Sequence, residues 1–253
     1  MRAIAFLAFI GMAFAMTPIV RDQRAFEETI INFLECLRGE MQTGWPDFGI
    51  PSLDPLESAE KTLELGNLGI EGISGTLTVK NLVFAGLADF VYENLEGSIQ
   101  LLPPGLTVNL DLIFPNPTLT TEYSGNVQLA EVGIDTFGTG TLDFDANNFK
   151  ANIGLQATLL GRIGLKYLDV YVSMEPLTSF AITGLRDDEE FSAEFSADML
   201  ANGVDKIAEL SPKLHDVISD VAMDLINNGG DGGEDSGFIS GLIDRCLSLG
   251  RRV

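Results

Sequence analysis

Apolar and polar residues alternate along this chain with three successive periods. From Arg24 to Met41, Phe26, Ile30, Phe33, Leu34, Leu37 and Met41 recur at steps of three and four, while Glu27, Glu28 and Glu35 fall off that face. This spacing predicts an amphipathic helix, weakened at its end by Gly39 and Gly44 and closed by Pro46. From about Thr62 to Phe195 the period becomes two. In 106–114, Val108, Leu110 and Leu112 oppose Thr107, Asn109 and Asp111. In 149–159, Phe149, Ala151, Ile153, Leu155, Ala157 and Leu159 share one face. In 167–174, Leu168, Val170, Val172 and Met174 oppose Tyr167, Asp169, Tyr171 and Ser173. Such alternation predicts antiparallel strands with one dry and one wet face. Their length, and bordering turns at "PPG" (103–105) and "FPNP" (114–117), predict a large curved sheet.

The helical period returns near Ala197. Leu200, Val204, Ile207, Leu214, Val217, Ile218, Val221 and Leu225 form a stripe. Ser211-Pro212 fits an N-cap followed by proline, so this region reads as two helices or one kinked helix. The fold class expected is α+β: a helix, a long antiparallel sheet and a long C-terminal helix, with apolar faces buried on one another. Between the first helix and the sheet lies "GIPSLDPLE" (49–57). Its prolines bias Ile50 and Asp54 toward extended geometry and cannot donate to a ladder. The segment is expected to run extended and to enter the sheet at an edge.

The N-terminal "MRAIAFLAFIGMAFAM" has one arginine, then an apolar run ending in Ala13-Phe14-Ala15. It reads as a signal peptide over 1–15, too short to span a bilayer. The expected remainder is one domain over 16–228, followed by an acidic Gly-rich loop and a short C-terminal helix over 229–253. The protein is therefore expected to be secreted and extracellular, with no stable membrane insertion. The full chain of 253 residues carries a net charge of −22, and loss of Arg2 with the leader leaves 14 basic against 37 acidic residues, or −23. Such a polyanion repels nucleic acid and anionic lipid. It also keeps an apolar-rich chain dispersed. Cys36 and Cys246 are the two cysteines. In a secreted chain an even count favours a disulfide, with two buried thiols as the alternative.

Candidate chemistry is sparse. His215 is the sole histidine, it lies beside Asp216, and no G-x-S-x-G elbow is present. It reads as an exposed polar residue, and no catalytic residue is assigned. One histidine and two distant cysteines give no transition-metal cluster. "DGGEDSG" (231–237) lacks the spacing and terminal glutamate of an EF-hand, so a flexible acidic loop is the favoured reading and calcium there stays open. "GTG" (138–140) has no parallel βαβ context and reads as a bulge or bend. Asp187, Asp188, Glu189 and Glu190 read as a solvated turn. A poor reactive inventory beside a rich apolar one favours a binder of apolar molecules over an enzyme. A solid core has the same composition as a cavity lining.

An amphipathic helix with a cysteine followed by "GIPSLDPL" resembles the start of the arthropod Takeout and juvenile-hormone-binding protein family. "LGNLGIEGISGTLTVKNLVFAGL" (65–87) looks like that family's N-x-x-x-x-G-L/I strands, and "PTLTTEYSGNVQL" (117–129) like its P-x-L-x-x-x-Y-x-x-G strand. "GIDTFGTGTLDFDANNFKANIGL" (133–155) resembles its G-x-G strand and hairpin. "ANGVDKIAELSPKLHDVISDVAMDLINN" looks like its long helix with the L-x-P-x-L step. The resemblance covers most of 24–228. It implies an α/β-wrap of the tubular lipid-binding type, a curved sheet around the long helix enclosing an apolar tunnel. It also implies ligands such as juvenile hormones, fatty acyl lipids, other isoprenoids or carotenoids. Two features depart from the pattern. The family's paired N-terminal cysteines are replaced by Cys36 and distant Cys246, and "LRDDEEFSAEF" is a poor match for the phenylalanine-rich segment before the last helix.

The expected function is a secreted carrier of a long hydrophobic small molecule, with no cofactor beyond the bound ligand. The alternatives are a juvenile-hormone-type signalling carrier and an extracellular lipid-recognition or immune protein. The expected ligand-binding residues are the dry-face side chains Val108, Leu110, Leu112, Ile153, Leu155, Ala157, Leu159, Val170 and Val172, with Phe33 and Leu37 facing them. Trp45 and Phe48 are expected at a tunnel mouth. Tyr123, Tyr167 and Tyr171 are candidates for polar specificity. Ligand identity and oligomeric state are left open.

Overall fold

The computed structural model describes residues 23–45, 51–68, 73–101, 104–129, 134–158, 164–227 and Cys246. The leader over 1–15, Phe48, Leu159 and the loop 229–237 lie outside the described residues, as does all of the last short helix but Cys246. Helix α1 (Gln23–Thr43) precedes β1 (Leu56–Glu64), a 3-10 turn (Leu65–Leu68), β2 (Ile73–Ala85), β3 (Val91–Leu101) and β4 (Pro104–Phe114). Strands β5 (Thr118–Leu129), β6 (Ile134–Asp145), β7 (Phe149–Thr158), β8 (Gly164–Ser173) and β9 (Ser179–Ile182) then lead into helix α2 (Glu189–Asn227).

The strands form a five-stranded sheet of order β1-β2-β5-β6-β9 and a four-stranded sheet of order β3-β4-β7-β8, and every pairing is antiparallel. The two orders share a logic. Strand β2 leads into β3, β4 into β5, β6 into β7 and β8 into β9, and none of these pairs bonds to itself. Each is one long strand bent in the middle. "FPNP" is therefore a bend rather than a hairpin turn: Pro115 and Pro117 break the ladder and the chain carries on into the other sheet. The bends bond to one another, from Ala146 N to Pro117 O (3.0 Å) and from Thr178 N to Asp145 O (2.9 Å). The result is one long antiparallel sheet with a transverse crease.

On one side of the crease, α1 lies on the dry face of the four-stranded sheet. Phe26, Ile30, Phe33, Leu34, Leu37 and Met41 are at most 1% exposed, and they share one core with the inward residues of β4, β7 and β8. Gly97 is what allows α1 to come so close to β3, since a Cβ there would sit 2.7 Å from the Phe26 ring. The bend at 86–90 is held by two opposite charges. The Asp54 carboxylate accepts from Gly86 N (2.9 Å) and Ala88 N (2.5 Å). The Arg38 guanidinium donates to Ala88 O (3.1 Å) and Phe90 O (2.7 Å). Backbone groups freed by the broken ladder thus regain partners.

The segment after α1 does reach an edge strand, β1. It does not run extended throughout, because the chain turns at Asp54–Pro55, where the peptide is cis. Ser52 Oγ and the amide of Leu53 donate to Met41 O, so the connector caps the end of α1. The disulfide is present: Cys36 of α1 bonds Cys246 with Cα atoms 5.5 Å apart across a sequence separation of 210.

Helix α2 is one continuous helix of 39 residues containing Pro212, roughly 58 Å long at ~1.5 Å per residue. It starts earlier than the pattern suggested. Asp187–Glu190 is no plain solvated turn: Asp188 Oδ1 accepts from Phe191 N (3.0 Å) as an N-cap, and Glu189 and Glu190 favour the positive end of the helix dipole. Ser211 caps no second helix. Its hydroxyl accepts from the amide of Val172 (2.9 Å) on β8. This is one member of a row. Ser192 and Ser196 accept from Leu185 N (3.0 Å) and Ile182 N (3.1 Å). His215 Nδ1 accepts from Val170 N (3.2 Å), and Ser219 donates to Leu168 O. Strands β8 and β9 are the two edges on this side of the crease. Side chains of α2 thus take the place of a further strand along both, antiparallel to the bent strand β8–β9.

Candidate ligand-binding face

The five-stranded sheet also has an apolar face. Register follows one row straight across it: Leu56 opposes Phe84, Phe84 opposes Leu119, Leu119 opposes Phe144 and Phe144 opposes Phe180. Directly opposed residues in an antiparallel pair share a face. The row ends on α2, where the Phe180 and Phe195 rings lie 6.3 Å apart and Phe195 meets Phe191 at 6.5 Å. This face therefore looks toward the start of α2. A second row runs through Leu82, Thr121, Leu142 and Ile182, and a third through Val79, Tyr123 and Gly140.

This face differs from its counterpart in exposure. Every apolar member of the first row is half-buried, as are Phe191 and Phe195. None joins the core cluster under α1. The outward residues between them, Glu57, Val83, Thr120, Asp143 and Asp145, are exposed. The inward face is thus greasier than the outward one and still partly open to solvent.

Tyr123 is the main polar group on this face. Strand β6 has Gly140 directly opposite it, and the phenol reaches past to donate to Thr183 O (2.6 Å). Burial raises its pKa, so the hydroxyl stays protonated at neutral pH. With its proton engaged, its oxygen can only accept from a ligand. Gly138 and Gly140 mark a close backbone approach instead of the bulge or bend expected of "GTG": β5 and β6 keep their register through them, and a Cβ on either would lie 2.0 Å from a carbonyl oxygen of Gly184 or Thr183.

The sequence-selected residues mostly lie elsewhere. Phe33, Leu37, Trp45, Val108, Leu110, Leu112, Ile153, Leu155, Ala157 and Val170 are gathered in the core under α1, each at most 3% exposed. Phe33 and Leu37 belong to the same core as the dry faces of β4, β7 and β8, as expected. Trp45 is packed inside it and does not stand at a mouth. Val172 is 8% exposed on β8. Of the described candidates, Tyr123 alone belongs to the open face. Tyr167 and Tyr171 are 48% and 44% exposed on the outward face. They do not point at either apolar face, because alternation sends them opposite Leu168 and Val170.

His215 is a correction as well. It is part-buried, not exposed, with its ring stacked on Tyr171 (centroids 4.5 Å) and Nε2 3.4 Å from Asp169. Its ring nitrogens serve the β8 edge. Among the described residues no group of three or more His, Cys, Asp or Glu could hold a metal ion, and no helix is long and apolar enough to cross a membrane.

A creased antiparallel sheet, closed along one edge by a long C-terminal helix and, among the described residues, packed under a second helix on one side of the crease, is an α/β-wrap. The chain belongs to the haemolymph juvenile hormone binding protein (JHBP) family, whose model matches residues 4–229. Among solved structures it is similar to the crystal structure of Takeout 1 from Epiphyas postvittana. The TM-score is 0.52 at 16% identity, with 83% of this chain and 89% of that chain covered. At that identity the likeness speaks for the fold. No curated protein sequence matches.

Proposed function

We propose that this protein is an extracellular carrier that takes up a long apolar molecule against the open face of the five-stranded sheet. The observation that carries the reading is the half-buried row Leu56–Phe84–Leu119–Phe144–Phe180 ending at Phe195. A continuous apolar stripe left partly wet is a surface that gains from being covered, at roughly 25 cal/mol per Å². Membership of a family described by hormone binding in haemolymph supports the same reading. Aromatic rings in a line suit an extended isoprenoid, carotenoid or fatty acyl chain. Secretion is supported by the Cys36–Cys246 disulfide, a bond that persists in oxidising compartments. The protein acts by binding and releasing, with no catalytic step.

The test is protein isolated from its natural source under native conditions. Native mass spectrometry, solvent extraction and an absorbance spectrum should reveal a stoichiometric apolar molecule, with conjugated-polyene bands if it is a carotenoid. Delipidation should lower the melting temperature, because a ligand bound only to the native state stabilises it by mass action. Protein that arrives empty and binds no apolar probe would refute the proposal.

A further inference from the structure

On the apolar side of the five-stranded sheet the described strands carry a single charged residue, Lys61. Its orientation is fixed by its neighbours. Glu60, Thr62 and Glu64 meet Lys80, Thr78 and Thr76 on the outward face, at 3.5, 2.9 and 2.9 Å. Lys61 and Leu63 between them therefore point inward. Register sets Lys61 opposite Val79, which in turn opposes Tyr123. Among the described residues the exposed Lys61 side chain has no hydrogen bond or ion pair. Three other lysines of this acidic chain are paired, Lys80 with Glu60, Lys150 with Asp111 (2.7 Å) and Lys206 with Asp198 (3.2 Å), while Lys166 on β8 is exposed and, among the described residues, unpaired like Lys61.

An inward lysine on an edge strand has a plain use, since it discourages pairing with a second sheet. That use does not need an apolar row beside it. Here the ammonium stands at one margin of the face while the aromatic row crosses from β1 to α2. Lys61 lies in the row of Val79 and Tyr123, five positions along β1 from Leu56, where the aromatic row ends, so a long chain crossing the face obliquely would have a cation at its β1 end and rings toward α2. A lysine head is a flexible point charge suited to an anionic oxygen.

We propose that Lys61 receives the anionic head of the ligand, and that the preferred ligand class is a long-chain carboxylate rather than a neutral hydrocarbon, alcohol or ester. This rests on the carrier reading above and names the chemistry of its ligand. No carboxylate of the described strands faces inward to repel the head. Tyr123, its proton given to Thr183 O, has no hydrogen bond to donate to a carboxylate, which leaves the Lys61 ammonium as the group that would meet it.

The experiment titrates delipidated full-length protein with hexadecanoic acid, hexadecanol and methyl hexadecanoate at pH 8, below their micellar limits. Wild type should prefer the acid by roughly two- to fivefold, the size of an exposed ion pair, and the preference should shrink in high salt. Lys61→Met should bring the acid-to-alcohol ratio close to one, and Lys61→Arg should restore it. Lys61→Gln serves if the methionine variant fails to fold. Equal wild-type affinity for acid and alcohol overturns the inference and leaves the carrier intact. So does a preference that survives in Lys61→Met, including a variant that merely self-associates. Failure of wild type to bind any of the three probes overturns the carrier reading and this inference with it.

Discussion

The two sides of the crease are built from the same four long strands and end in different states. Beyond it, the apolar face of β3-β4-β7-β8 meets α1 and is filled, and Leu155, Val108 and Leu37 are at most 1% exposed. Before it, among the described residues, the face of β1-β2-β5-β6-β9 has the start of α2 against its far margin, and Phe84, Leu119, Phe144 and Phe180 stay half-buried. Both faces carry large apolar side chains. What separates them is whether a helix with a matching stripe lies across the face. Burial is concentrated on one side, and the proposed binding surface is on the other.

The largest effect should come from the closed side. Replacing Cys36 and Cys246 by serine releases a loop of 210 residues, which in the chain-entropy model is worth on the order of 5 kcal/mol. Urea melts should show a loss of that order, in loaded and delipidated protein alike. A negligible loss would mean that α1 is held by packing alone.

The next test sets one residue from each side against the other. Leu155→Ala opens a cavity under α1 and should cost about 2–5 kcal/mol whether or not ligand is present. Phe144→Ala removes a half-exposed ring, so it should cost only about 1 kcal/mol of stability in delipidated protein while weakening ligand binding roughly tenfold. If Leu155→Ala instead lowers affinity and Phe144→Ala does not, the ligand lies under α1 and the comparison is reversed.

A smaller loss is expected at the crease. Asp54→Ala leaves the amides of Gly86 and Ala88 without their carboxylate and should cost about 2–3 kcal/mol. Asp54→Asn should recover part of it.

The smallest effect is the acid limb of the closed side. Burial pushes the Asp111 carboxyl up, but hydrogen bonds from Lys150, Asn94 and Asn152 and the lysine charge outweigh it, and the pKa is lowered. A depressed folded-state pKa gives stability that is complete above the unfolded value and is lost as pH falls through the folded one. Wild type should therefore lose stability below about pH 4 more steeply than Asp111→Asn. Parallel acid melts of the two proteins would show otherwise.

The closed side was legible because its signal is local and regular. The α1 stripe and the strict alternation of 106–114, 149–159 and 167–174 survive intact in α1, β4, β7 and β8. The open side was not. In β2 the residues Lys80 and Asn81 both bond outward, to Glu60 and Glu122, so the alternation slips between Val79 and Leu82. In β6 the inward positions Gly138 and Gly140 carry no side chain, and the apolar period disappears where backbones approach. The expectation that a carrier's lining would be its most regular apolar strands therefore selected a packed core. Prolines at 115 and 117 were read as the end of a strand because a bend and a turn use the same residues. The start of α2 was missed because "DDEE" is equally a turn and a capped first turn. Only side chains placed against Ile182 and Leu185 reveal what Ser192 and Ser196 are for.

The row of Ser192, Ser196, Ser211, His215 and Ser219 has a consequence for biosynthesis. The nine described strands all precede α2 in the chain, so a ribosome completes them before the element that shields β8 and β9 has emerged. For that interval the nascent protein displays unpaired strand backbone along one whole margin, the arrangement most prone to join a neighbouring chain. A premature stop just after Leu185 would make the interval permanent. Its product should be found in aggregates or bound to chaperones rather than as free protein.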